Sequence, residues 1–144
     1  VFSNGNWSVK DGEVLRGITI DLKDAPDLAP VIASIAPFAM GETVITGVRH
    51  LAFKESNRLE TISESLRLLG VNVSYSDDSL RISGSATHGA LITCPNDHRI
   101  AMMSSVIGAG SDGETIIHNA ECVNKSNRLF WRDLERLRVR VTIN

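Results

Sequence analysis

Two short runs gather most of the charge with chemical potential: Lys54-Glu55-Ser56-Asn57-Arg58 and Asp97-His98-Arg99. Asp27 follows Pro26, and Lys125 precedes Ser126-Asn127-Arg128, at places where a strand or loop enters a helix. The free N–H groups and positive dipole end of a helix start favour an anion. A neighbouring Arg or Lys adds charge-assisted, often bidentate hydrogen bonds to carboxylate or phosphate. Such a cluster suits a small, doubly anionic ligand.

Each position also has a structural reading. Asp27, Asp97, Ser56 and Ser126 can serve as helix N-caps. The run from Lys54 to Arg58 can be a solvated ion pair, and His98 a satisfied structural histidine. Capping accounts for the serines but not for the crowding of Lys54, Glu55 and Arg58 at one helix start. Composition does not decide between the readings.

The elements that must position these residues follow from hydrophobic period. Short strands are expected around Trp7–Val9 and Glu13–Ile20. The middle then reads as strand Leu15–Ile20, helix Asp27–Ala39, strand Glu42–Val48, helix Ser56–Leu69, and strands Val71–Tyr75 and Leu80–Ser83. In the second helix, Leu59, Ile62, Leu66 and Leu69 form one apolar stripe, with Glu60, Glu64 and Arg67 facing elsewhere. The first helix is apolar nearly all round, which predicts the deeper burial of the two. Pro30 suits its first turn, whereas Pro37 predicts a kink or an early end.

The same order returns as strand Ala90–Thr93, helix Asp97–Ala109, strand Glu114–His118, helix Ser126–Leu137 and strand Val139–Ile143. Local identities mark it as a repeat: Gly41-Glu42-Thr43 recurs as Gly113-Glu114-Thr115, and Ser56-Asn57-Arg58 as Ser126-Asn127-Arg128. Pro26-Asp27 is echoed in Pro95-Asn96-Asp97. The fold class expected is α/β (α+β), built of βαβαββ units. Residues 1–14 read as the tail of one unit, 15–84 as a second and 85–144 as a third. No unit closes a core alone, so helices should pack on helices with mixed sheets outside.

Composition excludes several classes. The 144 residues carry a net charge of −2, from 15 basic and 17 acidic side chains spread along the chain, which gives no footprint for nucleic acid or an anionic membrane. No apolar run reaches the length of a membrane span, and no signal-peptide pattern is present, so a cytoplasmic location is expected. Cys94 and Cys122 lack metal-ligand or CxxC spacing and read as buried free thiols. Val1 and the uncovered first strands suggest a segment of a longer protein.

Taken together, Asp24-Ala25-Pro26-Asp27, Lys54-Glu55-Ser56-Asn57-Arg58 and Asp97-His98-Arg99-Ile100-Ala101-Met102 resemble the 5-enolpyruvylshikimate-3-phosphate synthase family. Glu121-Cys122-Val123-Asn124-Lys125-Ser126 and the Phe130-Trp131-Arg132-Asp133-Leu134 stretch extend the likeness over almost the whole chain, about the last third of a family member. The resemblance implies transfer of the enolpyruvyl group of phosphoenolpyruvate to the 5-hydroxyl of shikimate 3-phosphate, with release of phosphate, in the shikimate route to chorismate and the aromatic amino acids. It implies no metal and no organic cofactor, and a site shared with the missing N-terminal domain of the same chain. The isolated segment should then be inactive.

Matched motif by motif, the resemblance implies that Asp27 orients and helps deprotonate the 5-hydroxyl, and that Glu55 shuttles a proton to the methylene carbon. Lys54 would touch shikimate 3-phosphate. Arg58 and Arg99 would clamp phosphoenolpyruvate, Lys125 would stabilise the departing phosphate, and His98 would stand beside them. Asn57 stands where the family usually has Asp within the Lys54–Arg58 motif, and Asn127-Arg128 replace an aromatic-Pro pair after Lys125-Ser126. The competing readings are a UDP-N-acetylglucosamine enolpyruvyl transferase and a non-catalytic α/β repeat module.

Overall fold

A computed structural model describes residues 2, 3, 6, 7, 12 and 14–143. At the amino end Phe2–Ser3 (β1) pairs antiparallel with Asn6–Trp7 (β2). Val9 and Glu13, where the first two expected strands end and begin, lie outside the described residues. Regular pairing then starts at Thr19–Asp21 (β3), preceded by a single parallel bridge between Arg16 and Met40.

From β3 the chain runs through a 3-10 turn at Pro26–Leu28 into helix Ala29–Ile35 (α1) and a second 3-10 turn at Ala36–Phe38. Pro30 sits in the first turn of α1, where its missing N–H costs nothing. Pro37 ends the α-helix early, as its lack of an N–H requires. Strand Glu42–Thr46 (β4) lies parallel to β3, with Ile20 opposite Ile45. A 3-10 turn at Arg49–Phe53 leads to helix Arg58–Leu68 (α2), and the hairpin Val73–Ser76 (β5) and Ser79–Ser83 (β6) closes a mixed sheet in the order β3-β4-β6-β5.

The second round uses Leu91–Thr93 (β7), His98–Ala109 (α3), Ile116–His118 (β8), a 3-10 stretch at Ala120–Lys125 and Phe130–Arg136 (α4). Strands β7 and β8 are parallel. Two expectations change here. The helix expected from Ser126 starts only at Phe130: the 3-10 stretch, which packs on α3 and buries Cys122 and Val123, runs to Lys125, and residues 126–129 form a turn in which the Asn127 side chain accepts from the Leu129 N–H. Val139–Ile143 forms no strand and joins none of the sheets among the described residues.

The repeat is also visible in two close approaches. A Cβ on Gly17 would stand 2.2 Å from the carbonyl oxygen of Glu42, and one on Gly89 would stand 2.1 Å from that of Glu114. The same backbone crossing is thus built twice, and only glycine fits it.

Helices pack on helices: α1 on α3 and α2 on α3. In α2 the stripe Leu59, Ile62, Leu66 and Leu69 is buried, while Glu60, Glu64 and Arg67 are exposed. Burying four such side chains stabilises the fold by roughly 1.5–3 kcal/mol each relative to exposure. Helix α1 departs from its expected deep burial. Ala29, Ala33 and Ala36 are buried, but Val31 and Ile35 are exposed, as are Leu28 and Phe38 in the flanking 3-10 turns. The buried side of this element is its small-residue side, which lets α3 approach closely.

Candidate functional site

The site forms where three loop-to-helix junctions meet. The first is the turn holding Asp27, before α1. The second is the stretch Lys54–Asn57 between the Arg49–Phe53 turn and α2. The third is the start of α3 at Asp97. Local capping fixes the latter two. Asn57, not Ser56, is the N-cap of α2: its side-chain oxygen accepts from the Glu60 N–H at 3.5 Å, and its amide donates to the Glu60 carboxylate at 3.1 Å. Asn and Asp cap about equally well, so this replacement leaves the helix start intact. Asp97 caps α3 by accepting from the Arg99 N–H at 3.1 Å. Asp27 lies inside its 3-10 turn and caps nothing, and Ser126 precedes no helix directly.

Arg58 is the centre of the cluster. Its side chain is 1% exposed, and every guanidinium nitrogen is bonded to a carboxylate. Nε donates to Asp97 at 2.7 Å and Nη1 to Asp27 at 2.8 Å, while Nη2 donates to Glu55 and, at 3.4 Å, to the second oxygen of Asp97. The guanidinium therefore has two edges. Its inner edge meets Asp97, which is 0% exposed; its outer edge meets Asp27 and Glu55, which are 45% and 37% exposed.

Asp27 is the second hub. Besides Arg58 it meets Lys54 Nζ at 3.4 Å and Arg99 Nη2 at 3.1 Å, and Arg99 Nη1 also donates to its backbone carbonyl at 3.3 Å. Lys54 and Arg99 each remain about one-third exposed, at 32% and 33%. These two cations keep faces open to solvent, whereas Arg58 does not.

The electrostatics follow from this geometry. Burial pushes the Asp27 carboxyl up, but Arg99, Lys54 and Arg58 together outweigh it and hold the group below the usual carboxylate value. At Asp97 burial again opposes ionisation, and the Arg58 hydrogen bond and charge, with the Arg99 N–H and Ser56, win. Arg58 is disfavoured by burial yet ends above its ordinary value because Asp97, Glu55 and Asp27 surround it. All three groups are charged at neutral pH.

Of the residues singled out in the sequence, Asp27, Lys54, Glu55, Arg58 and Arg99 are thus in one network. His98 opens α3 beside them, with its Nδ1 buried and without a hydrogen-bond partner. Lys125 ends the Ala120–Lys125 stretch, exposed, and makes no ion pair among those described. Sequence reasoning gave Asp97 a capping role and missed its bond to Arg58, 39 residues away; nothing in local spacing signals that contact. Ser56 was likewise read as a cap, and instead donates its hydroxyl to Asp97 at 3.2 Å.

Cys94 and Cys122 are free and buried. Burial, with Cys122 alongside, pushes the Cys94 thiol up to about 12, so it is not a nucleophile at neutral pH. Among the described residues no group of His, Cys, Asp and Glu is placed to hold a metal, and no helix is long and apolar enough to cross a membrane.

Comparison with known proteins places this chain in a family. The chain is 81% identical over all 144 residues to the 3-phosphoshikimate 1-carboxyvinyltransferase of Caldivirga maquilingensis, covering 35% of that protein. It is 49% identical over 140 residues to the enzyme of the same name from Sulfurisphaera tokodaii, covering 97% of this chain and 34% of the relative. The structure of the EPSP synthase from Acinetobacter baumannii superposes with a TM-score of 0.80 at 29% identity, over 91% of this chain and 31% of that one. The chain therefore spans about a third of the length of the relatives it matches. The family model of EPSP synthase (3-phosphoshikimate 1-carboxyvinyltransferase) matches residues 3–134, and the chain belongs to that family.

Proposed function

We propose that this chain supplies part of the active site of an enzyme that transfers the enolpyruvyl group of phosphoenolpyruvate to the 5-hydroxyl of shikimate 3-phosphate and releases phosphate, in the cytoplasmic synthesis of aromatic amino acids. The observation that carries the reading is the network of Asp27, Lys54, Glu55, Arg58 and Arg99, drawn from three junctions in a chain of this family. Residues 15–84 and 85–144 act as successive βαβαββ-type units of one domain, with 1–14 the tail of another. The exposed apolar side of α1 and the one-third coverage of the relatives support a longer protein, whose N-terminal domain completes the site.

The reaction adds an alcohol across a C=C bond and then expels phosphate. One group must receive the hydroxyl proton, and another must give a proton to the methylene carbon and later retrieve it. Asp27 receives the hydroxyl. Three cations hold it ionised, so its first effect is to accept a hydrogen bond and orient the 5-hydroxyl. An anionic substrate bound to the open faces of Lys54 and Arg99 takes up their charge and makes Asp27 more basic, which couples proton transfer to substrate binding. Glu55 shuttles the methylene proton. Lys54 touches shikimate 3-phosphate near the reacting hydroxyl, Arg99 holds phosphoenolpyruvate through its open face, and Arg58 joins that clamp only where the substrate displaces Asp27 or Glu55 from its outer edge; Lys125 stabilises the departing phosphate, and His98 stands beside them.

The test is phosphate release by a complete enzyme in which residues 1–144 replace the matching third of the Caldivirga relative. Turnover is expected with shikimate 3-phosphate and not with UDP-N-acetylglucosamine as acceptor, and negligible turnover from the 144-residue chain alone. Turnover only with the nucleotide sugar would reassign the substrate. No turnover with either acceptor would favour a non-catalytic module.

A further inference from the structure

We infer that Asp97 is a positioning residue for the reaction: it anchors the inner edge of Arg58 and so sets the place of Asp27 and Glu55 on the outer edge. The inference rests on the function proposed above. A plain helix cap needs one N–H, and Asp97 has that from Arg99 at 3.1 Å. It also receives Arg58 Nε at 2.7 Å, Arg58 Nη2 at 3.4 Å and the Ser56 hydroxyl at 3.2 Å, at 0% exposure. A buried ionised carboxylate with that many donors is held for its charge and its direction, since a serine or asparagine would cap the helix without the cost of burying a charge.

The consequence reaches the reacting groups through one planar fork. Nε fixed on Asp97 fixes the plane of the guanidinium, and Nη1 and Nη2 then aim at Asp27 and Glu55. Asp27, in the 3-10 turn before α1, and Asp97, the N-cap of α3, grip the same arginine from its two edges. The ionisable groups facing Asp97 are Arg58 from α2, Arg99 from its own helix, Cys94 from the end of β7, with its Sγ 3.3 Å from the Asp97 carbonyl, and Cys122 from the Ala120–Lys125 stretch. Asp27 and Glu55 are joined to it through Arg58, and Lys54 through Asp27.

Removing the negative charge of Asp97 leaves Arg58 less neutralised beside Asp27, whose carboxyl Arg58 already helps to hold below its ordinary value, so Asp27 holds its proton less tightly. The test is the pH profile of kcat in the complete enzyme for Asp97→Asn and Asp97→Ser, both of which still cap α3. The expected result is a fall in kcat of about 10²-fold from loosened geometry. In both variants the acid limb moves to lower pH by about one unit. Hydrogen exchange across α3 reports folding separately. A cap alone would scale activity with the folded fraction at every pH. An unmoved limb in either variant, with the parent enzyme active, overturns this inference while leaving the proposed function standing. An inactive parent enzyme overturns both.

Discussion

Replacing Arg58 by Met keeps an apolar stem and deletes the guanidinium, leaving three carboxylates without their shared partner. The cost follows from where those carboxylates sit. Asp97 is fully buried, and stripping one member from a buried pair costs about 3–5 kcal/mol, because the other is left as an uncompensated charge. Asp27 and Glu55 are exposed enough to be hydrated, so each of those contacts contributes only about 0–1 kcal/mol, and Asp27 keeps Lys54 and Arg99. The expected total is therefore about 3–5 kcal/mol and not the sum of four hydrogen bonds. Adding Asp97→Asn removes the orphaned charge while the amide still caps α3, so the double variant should regain all but about 1 kcal/mol. Hydrogen exchange of segments 58–68 and 98–109 in the complete enzyme reads this free energy locally, without assuming that a multidomain protein unfolds in one step. A loss below about 1 kcal/mol in the single variant, or a double variant that simply adds the two costs, would refute the reasoning.

Three further outcomes are expected. Asp27 and Asp97 have folded-state pKa values below their unfolded value of 3.8, so their contribution is fully present above that value and is lost as pH falls through the lowered ones. Protection of α2 and α3 should hold level from pH 7 to about 5 and decline only below about pH 4; a decline beginning near neutrality would contradict it. Cys94, with its thiol near 12, is about 10⁻⁴ thiolate at pH 8 and should resist iodoacetamide in the native protein yet react once unfolded, as mass spectrometry would report; labelling at the unfolded rate would be the contrary result. Gly17→Ala and Gly89→Ala should each cost about 1–3 kcal/mol by hydrogen exchange at the strands they adjoin, since each Cβ meets a backbone carbonyl that cannot swing aside; a cost in one alone would break the claimed equivalence.

How far the sequence speaks depends on the range of the interaction. The α2 stripe and the early stop at Pro37 are local patterns, and each appears in the structure where the period or the proline places it; of the paired Gly-Glu-Thr motifs, Glu42-Thr43 open β4, whereas Glu114-Thr115 precede β8, which starts at Ile116. The exposed side of α1 was not legible, because apolar composition states what a helix can bury and not whether a neighbour is present. The start of α4 was missed because Ser126-Asn127-Arg128 repeats Ser56-Asn57-Arg58 in letters but adjoins its 3-10 stretch directly, and Asn127 closes a turn on Leu129 where Asn57 caps a helix. The motifs brought most of the charged residues into view, yet the hub was invisible. Arg58 meets Asp27 and Asp97 across separations of 31 and 39 residues, and only the packing of α1 and α2 against α3 brings those helix starts together.

Proton transfer through two carboxylates is tested most directly by kcat and KM of Asp27→Asn and Glu55→Gln in the complete enzyme with both substrates. These isosteric changes keep the hydrogen-bonding shape and remove only the charge and the basicity. The expected result is a fall in kcat of about 10²–10⁴-fold in each variant, with KM for both substrates changed far less. Turnover left near the parent level in either variant would contradict it.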